Sequence, residues 1–467
     1  MGVGMASAYL GIDIGTSNIK AHAFDAGGYE LRSESRECAV SYPSEGRCVA
    51  SAKAIFDSFL AVTSSVVRAL GDDGHKVRAM GFSAHMHSLL CVDRDGEAIS
   101  DVMLWADTRA RSQAEGISRS VDVAAWRDAT GCRVQHPMYP LSKLLWIKEN
   151  DGDLFKGAHK FVTLKEYMLH RLFGEYYCDY TTASSQGYYN IRSQSWDAEA
   201  LGYMGVAESR LGTVVECCQA LGRIKGEYER ILGLDGETVV VAGSGDGIMA
   251  NLGCGVTDNS KVSSSIGTSG AVRTTVREPV GGEAEGTWCY SFTKDSWVVG
   301  GAIHNGGLAL KWIKREFGPS IEGYLAESGQ RRGMGLSKAI DLIAGGVPPG
   351  SEGLTVLPHF TGERSPDWNA DAKGMMAGLT MGHTFRHIIR ATMEGVMYRL
   401  RSVFLAMGGC LSGDAEVIAN GGYAYSPVWL QMQADIFGRA ITVNGVEQAS
   451  ALGAAYLAMH ACGDAPG

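Results

Sequence analysis

Apolar and polar residues alternate along Ala8–Gly15 ("AYLGIDIG"), stop at the polar turn Thr16-Ser17-Asn18, and resume through "IKAHAFDAGG" to the pair Gly27-Gly28. A period of two on both sides of a hydroxyl-rich turn predicts a β-hairpin. The period then changes. Ile55, Phe56, Phe59, Leu60, Val62, Val66, Val67 and Leu70 recur at intervals that place them on one helical face, with Ser51 as a cap. "KVRAMGFSAHMHSLLCVDRDGEAI" returns to strand, loop and strand, turning at Asp95-Gly96.

From about Thr108 to Asp235 the pattern is mostly helical, interrupted by "GCRVQHPMYPLSK". A strand, "TVVVAG", ends at Gly243 and runs into the glycine-rich turn "SGDG". Beyond it, "KVSSSIGTSGAVRTTV" repeats the hairpin character of the N-terminus, and the tetrapeptide Ile14-Gly15-Thr16-Ser17 returns as Ile266-Gly267-Thr268-Ser269. Strands "SWVVGGAI" and "AEVIANGG" alternate with helical runs "GLALKWIKREF", "FRHIIRATMEGVMYRLRSVFLAM" and "PVWLQMQADIFG". Each half thus opens with a glycine-hydroxyl hairpin and continues in mixed α/β. The expected domains are residues 1–242 and 243–467.

With 467 residues the chain exceeds one ordinary core, which agrees with two domains. Hydrophobic residues at 45 % and charged residues at 20 % are an ordinary globular balance. The formal net charge of -9, with no long Lys/Arg run, argues against nucleic acid or an anionic membrane as partner. The 11 cysteines contain no Cys-x-x-Cys and fit reduced thiols. No apolar run of transmembrane length and no signal-peptide layout is read, so a cytoplasmic location is expected.

Both IGTS turns have the makeup of a phosphate cradle, in which glycine admits close approach and hydroxyls and N–H groups donate. A single copy is as well explained by an ordinary hairpin turn. Two copies in matching contexts point to two domains facing one phosphate tail. Neither is a Walker A loop, and "GSGDG" is followed by Ile248 where a dinucleotide fingerprint needs glycine. Asp13, flanked by Ile12 and Ile14 near a strand end, needs a partner for its carboxylate: a hydrated Mg2+ or its own turn. Asp246, in its glycine-rich turn, is placed to act as a base on a substrate hydroxyl, although turn geometry explains it equally well.

Several ordered motifs carry a family resemblance. Two are long: "MYPLSKLLWIKEN" (Met138 to Asn150) and "GMMAGLTMGHTFRHIIRATME" (Gly374 to Glu394). The others are "GIDIGTSNIK", "WADTRA", "GSGDG", "SIGTSG", "GERSPDWN" and "NGGYAYSPVWLQMQADIFG". From Leu10 to about Leu457 the chain resembles the FGGY family of carbohydrate kinases. That resemblance implies a two-domain α/β architecture of the actin-like ATPase (ribonuclease H-like) fold, with an interdomain catalytic cleft.

The resemblance implies roles position by position. Thr16, Ser17 and Asn18 match the first phosphate loop, and Gly267 and Thr268 the second. Gly307 and Lys311 match positions that meet ATP, Gly421 and Gly422 the adenosine-binding turn, and Ser426 a nearby nucleotide position. Asp246 matches the catalytic base and Asp13 the Mg2+-associated aspartate. His85, Met86 and His87 match the loop lining the sugar site, with Trp105 and Arg109 bordering the substrate. His85 and His87 are read as hydrogen-bonding groups, since a zinc pair needs a third clustered ligand. Met138, Tyr139 and Trp146 are read as packing, and Glu363 with Arg364 as a structural pair at the cleft.

Within the family, the wording of Ser83–Asp93, His136–Ile147 and Lys165–Asn190 resembles gluconokinases most. The expected reaction is transfer from MgATP to the terminal hydroxyl of an open-chain sugar acid, D-gluconate giving 6-phosphogluconate. A xylulokinase or another ketose or polyol kinase is the alternative. A non-transferase actin-like ATPase is more remote, because such proteins lack the two long signatures. The expected partner is a small sugar acid or sugar, with self-association as a homodimer left open.

Overall fold

A computed structural model describes residues 5–327 and 334–465. Two mixed sheets dominate it, and they repeat one plan. In the first, Ala6–Ile14 and Asn18–Phe24 form the expected antiparallel hairpin, and Glu30–Glu37 extends it on the outer side. On its other side Ala6–Ile14 runs parallel to His75–Ala84, which in turn pairs with Val239–Val240 and Ser244–Gly245. The second sheet has the hairpin Lys261–Ile266/Gly270–Val276, with Lys261–Ile266 parallel to Glu416–Asn420 and that strand parallel to Ile441–Val443. Gly270–Val276 also pairs with Ser296–Ile303, and Trp288–Thr293 is an added outer strand. Each IGTS turn therefore sits at the tip of the central hairpin of its own sheet.

The predicted amphipathic helix is Ala52–Asp72, capped by Ser51, whose hydroxyl accepts from Ala54 N–H at 3.3 Å. It buries Ile55, Phe56, Phe59, Val62, Val66 and Leu70 in one core with Leu10, Ile12, Ile19 and Ala21 of the first sheet. Fully burying each large side chain contributes about 1.5–3 kcal/mol. At 21 residues and mean hydropathy 1.3, this helix passes by length and composition as a membrane span, contrary to the sequence reading. The core packing of its apolar face accounts for that composition.

The last helix, Ala449–Ala461, crosses Asp246–Gly253 at very short range. A Cβ on Gly253 would lie 2.0 Å from the Ala449 carbonyl oxygen, and one on Gly453 2.0 Å from that of Met249. Only glycine permits this approach. The crossing fixes Asp246–Gly253 against both sheets, because Ala449–Ala461 also lies on the first sheet, where a Cβ on Gly11 would strike the Ala451 oxygen.

Between Thr108 and Asp235 helices predominate as expected, including Arg111–Ser120, Pro140–Asn150 and Leu164–Phe173. The structure corrects two details. "PLSK" does not interrupt helix but begins Pro140–Asn150, with proline at the first turn, where its missing N–H costs nothing. Short strands such as Lys160–Val162, Tyr177–Asp179 and Thr213–Val215, unmarked in the sequence pattern, intervene.

Candidate active site

The parallel register that sets Asp13 opposite Ser83 brings the Ser83 hydroxyl to Asp13 Oδ1 at 2.9 Å. The carboxyl of Asp13 is pushed up to about 6, first by burial and then by the neighbouring charge of Asp246. A buried carboxylate whose ionisation is opposed by a second carboxylate nearby favours a cation beside it. The turn that follows is closed by Gly15 N–H donating to Asn18 O at 3.0 Å, and Trp105 Nε1–H donates to Thr16 Oγ1 at 3.1 Å.

His75–Ala84 leads into the "SAHMHS" loop. Nδ1 of His85 faces the Ile14 carbonyl at 3.2 Å, so it carries the proton and Nε2 is left as an acceptor without a protein partner. His87, at φ 66°, places Nε2 3.1 Å from the Tyr290 hydroxyl, which is 3.2 Å from that of Tyr139. Burial lowers the basicity of both histidines, and for His87 the charges of Lys143 and Arg364 add to it. Both rings are neutral hydrogen-bonding groups.

Lys143, fully buried on Pro140–Asn150, donates to His87 O at 2.6 Å and Leu104 O at 2.7 Å. One ammonium thereby ties the histidine loop to the "WADTRA" loop. Burial lowers its basicity to about 7, with Asp107 opposing the shift. Lys143→Met keeps the stem but leaves two buried carbonyls unpaired. It is expected to cost about 2–4 kcal/mol of stability and to raise the sugar KM, as read by urea denaturation and steady-state kinetics. Wild-type stability with unchanged KM would show that the two loops hold without it.

Arg109 lies outside the cavities described below. Its guanidinium is committed to buried Asp107, through Nε at 2.9 Å and Nη2 at 2.7 Å, and rests over the Trp146 ring at 5.1 Å. Asp107 also accepts from Cys48 N–H at 2.8 Å. Glu363 and Arg364 do not pair through their side chains. Glu363 takes Arg399 at 3.3 Å and His359 at 3.2 Å, whereas the Arg364 guanidinium turns toward Ile303 O and the Trp105 ring.

Asp246 is the first residue of a helix, Asp246–Gly253, where the sequence suggests a turn. The strand reaches it through Gly243 at φ 65°, where a Cβ would lie 1.7 Å from the Phe82 oxygen. Gly247 N–H donates to Asp246 Oδ1 at 2.6 Å, and the positive end of the helix faces the carboxylate. Among the described residues, Oδ2 has no protein donor. Arg273, unremarked in the sequence, lies beside Gly247 and donates to Ser265 Oγ at 3.2 Å; burial lowers its basicity against the opposing charge of Asp246.

The second IGTS turn is locked to the helix Gly307–Glu327: Gly307 N–H donates to Gly267 O at 2.8 Å and Leu308 N–H to Thr268 O at 3.0 Å. Ser426 caps Pro427–Phe437 through Trp429 N–H at 3.3 Å.

Two cavities meet at Asp246. The larger, about 760 Å3, is lined by Thr16 and Ser17 from one turn and Thr268 and Ser269 from the other. The expected residues His85, Met86, His87, Trp105, Lys311 and Asp246 also line it. His136, Met138, His304, Arg364 and Trp368 join them; Met138, Arg364 and Trp368 fall in motifs quoted from the sequence and His136 opens a quoted segment, whereas His304 drew no notice. The smaller, about 370 Å3, is lined by Asp13, Lys20, Gly267, Gly421 and Gly422, again with Asp246. Asp246 and Arg273 line both. Asn18, Gly307 and Ser426 line neither; each shapes the backbone beside a cavity.

The N-terminal domain of the FGGY family of carbohydrate kinases matches residues 8–253, and the C-terminal domain of that family matches residues 262–462. The chain is 36 % identical to a gluconokinase of Bacillus subtilis (strain 168), across 98 % of this chain and 88 % of the relative. It is 27 % identical to a xylulose kinase of Staphylococcus xylosus, across 96 % and 90 %. The crystal structure of gluconate kinase from Lactobacillus acidophilus superposes with a TM-score of 0.90 at 28 % identity, covering 98 % of this chain and 89 % of that one. The chain belongs to the FGGY family of carbohydrate kinases.

Proposed function

We propose that this kinase transfers the γ-phosphoryl group of ATP to the terminal primary hydroxyl of D-gluconate, giving 6-phosphogluconate. The observation that carries the reading is the position of Asp246 where the two cavities meet. A carboxylate there reaches an acceptor in one cavity and faces a donor whose phosphates enter from the other.

In this reading Asp246 accepts the proton of the attacking hydroxyl on the oxygen that Gly247 N–H leaves unoccupied. Thr16, Ser17, Thr268 and Ser269 hold the phosphate oxygens from opposite sides, and Arg273 and Lys311 balance their charge. Gly421 and Gly422 admit the adenosine end of ATP at the wall of the smaller cavity. His85 Nε2, an acceptor without a protein partner, takes a sugar hydroxyl and orients the chain toward Asp246. Arg109 supports the site indirectly, by holding Asp107 and the loop that carries Trp105.

The residues also fit Mg2+. Among the described residues no three His, Cys, Asp or Glu groups converge, so Asp13 and Asp246 are the protein groups that would hold an ion here, beside the phosphates. When bound it neutralises charge on the phosphates.

The gluconokinase relative, at 36 % identity against 27 % for the xylulose kinase, favours the acid over a ketopentose. Initial rates of ADP release with D-gluconate, D-xylulose, L-ribulose and glycerol test this. D-Gluconate is expected to have the highest kcat/KM, and robust turnover of D-xylulose with none of D-gluconate would overturn the substrate while keeping the site.

A further inference from the structure

Among the described residues that line the larger cavity, Asp246 is the only carboxylate. Four lining side chains keep a buried polar atom that the protein leaves unpartnered: His85, Arg273, Arg364 and His136. His85 and Arg273 already have parts in the reaction proposed above; Arg364 and His136 do not.

Arg364 is 8 % exposed. Its Nη2 donates to Ile303 O at 3.2 Å, its guanidinium lies 5.2 Å from the Trp105 ring, and its Nε–H has no partner. The charge of neighbouring Glu363 acts on it, and Glu363 accepts the Arg364 backbone N–H at 2.8 Å, but the Glu363 carboxylate is engaged by Arg399 and His359 and makes no hydrogen bond to the guanidinium. An arginine held over an aromatic face with an unused donor is preorganised for a planar anion.

His136 is 4 % exposed, and Met138 N–H donates to its Nδ1 at 3.2 Å. That bond fixes the neutral tautomer. The proton is on Nε2, which has no acceptor in the protein. Burial, with the charge of Arg364 adding to it, keeps the ring neutral. The two groups are joined by a continuous aromatic wall: Trp105 to His304 at 6.4 Å, His304 to His136 at 5.8 Å and His136 to Trp368 at 5.8 Å. Two donors without acceptors, one of them cationic, are costly to bury alone and favourable opposite a carboxylate.

We propose that Arg364 and His136, in the lining of the larger cavity, form the recognition site for the substrate carboxylate and set the preference for a sugar acid over its neutral polyol. The proposal rests on D-gluconate as the acceptor. It gives the remaining end of that open chain its partners, where Arg109, already bound to Asp107, has no free fork to offer.

The test compares D-gluconate with D-glucitol, the polyol in which the carboxylate becomes a hydroxymethyl group, in wild type, Arg364→Gln, His136→Leu and His136→Gln. The ratio of kcat/KM for gluconate over glucitol is expected to fall about 10- to 100-fold in Arg364→Gln and His136→Leu, the scale of a lost hydrogen bond to a charged group. The loss is expected in KM for gluconate, and His136→Gln, which retains an N–H donor, is expected to recover most of it. Equal losses on both substrates would overturn the proposal and leave these side chains a structural role. If Arg364→Gln fails to fold, as its melting curve will show, the two His136 variants decide. Wild type that phosphorylates a ketopentose but not gluconate would overturn the substrate reading itself, and that result is read before any variant is made.

Discussion

Asp246→Asn is expected to lower turnover of D-gluconate by about two to four orders of magnitude, the range for a lost general base, while ATP binding stays near the wild-type value. The amide retains the volume of the carboxylate and keeps an oxygen for the Gly247 N–H, so the head of Asp246–Gly253 is preserved. What is removed is the capacity to accept a proton where the two cavities meet. Steady-state rates with a calorimetric titration of ATP separate the two effects. Near-normal turnover in a folded variant would remove Asp246 from the chemistry.

The second large effect is expected at Asp13. Asp13→Asn should lower kcat/KM for MgATP by about 10²-fold or more, because one of the two carboxylates that fit the ion is gone and charge stabilisation supplies much of phosphoryl transfer. Stability moves the other way. The folded chain holds the Asp13 proton up to about pH 6, against a usual carboxyl value of 3.8. The ionised group therefore costs stability above pH 6, and that cost disappears as the pH falls toward 4. In metal-free buffer near neutral pH the variant should melt at or above wild type, with the difference shrinking on acidification. Added MgATP should raise the wild-type melting temperature more than the variant's. A variant with wild-type MgATP kinetics would place the metal elsewhere.

Much of this was legible in the sequence, for reasons that can be located. The two hairpins were readable because strand-like segments border both IGTS turns, and the helix Ala52–Asp72 because its apolar spacing and Ser51 cap agree. Asp246 was recognised as chemistry but misread as part of a turn. Asp246–Gly253 is eight residues long, contains two glycines among buried apolar residues, and has no polar face to reveal its period. Its stability comes from the close crossing with Ala449–Ala461, contributed by the far end of the chain. Strands of two or three residues, such as Tyr177–Asp179 and Thr213–Val215, exist only through their mutual pairing and leave no local signal.

Partner choice was the least readable property. Asp107 and Arg109 look like two free polar groups in "WADTRA", yet they satisfy each other. Glu363 and Arg364 look like a pair, yet their side chains diverge, and the divergence releases a cation into the cavity. Lys143 closes the stretch "GCRVQHPMYPLSK" that the sequence pattern sets between helices; only the folded chain puts it on a helix and brings the carbonyls of His87 and Leu104 to it.

Phosphoryl transfer to a terminal hydroxyl is the account's central claim, and the product tests it most directly. Purified wild type is incubated with ATP, Mg2+ and D-gluconate, ADP is quantified, and the phosphorylated sugar is examined by phosphorus–proton correlation spectroscopy. One ADP is expected per phosphorylated gluconate, with the phosphorus coupled to the two protons of the terminal methylene. ADP released at the same rate without sugar, or phosphorus coupled to a methine proton, would contradict the account.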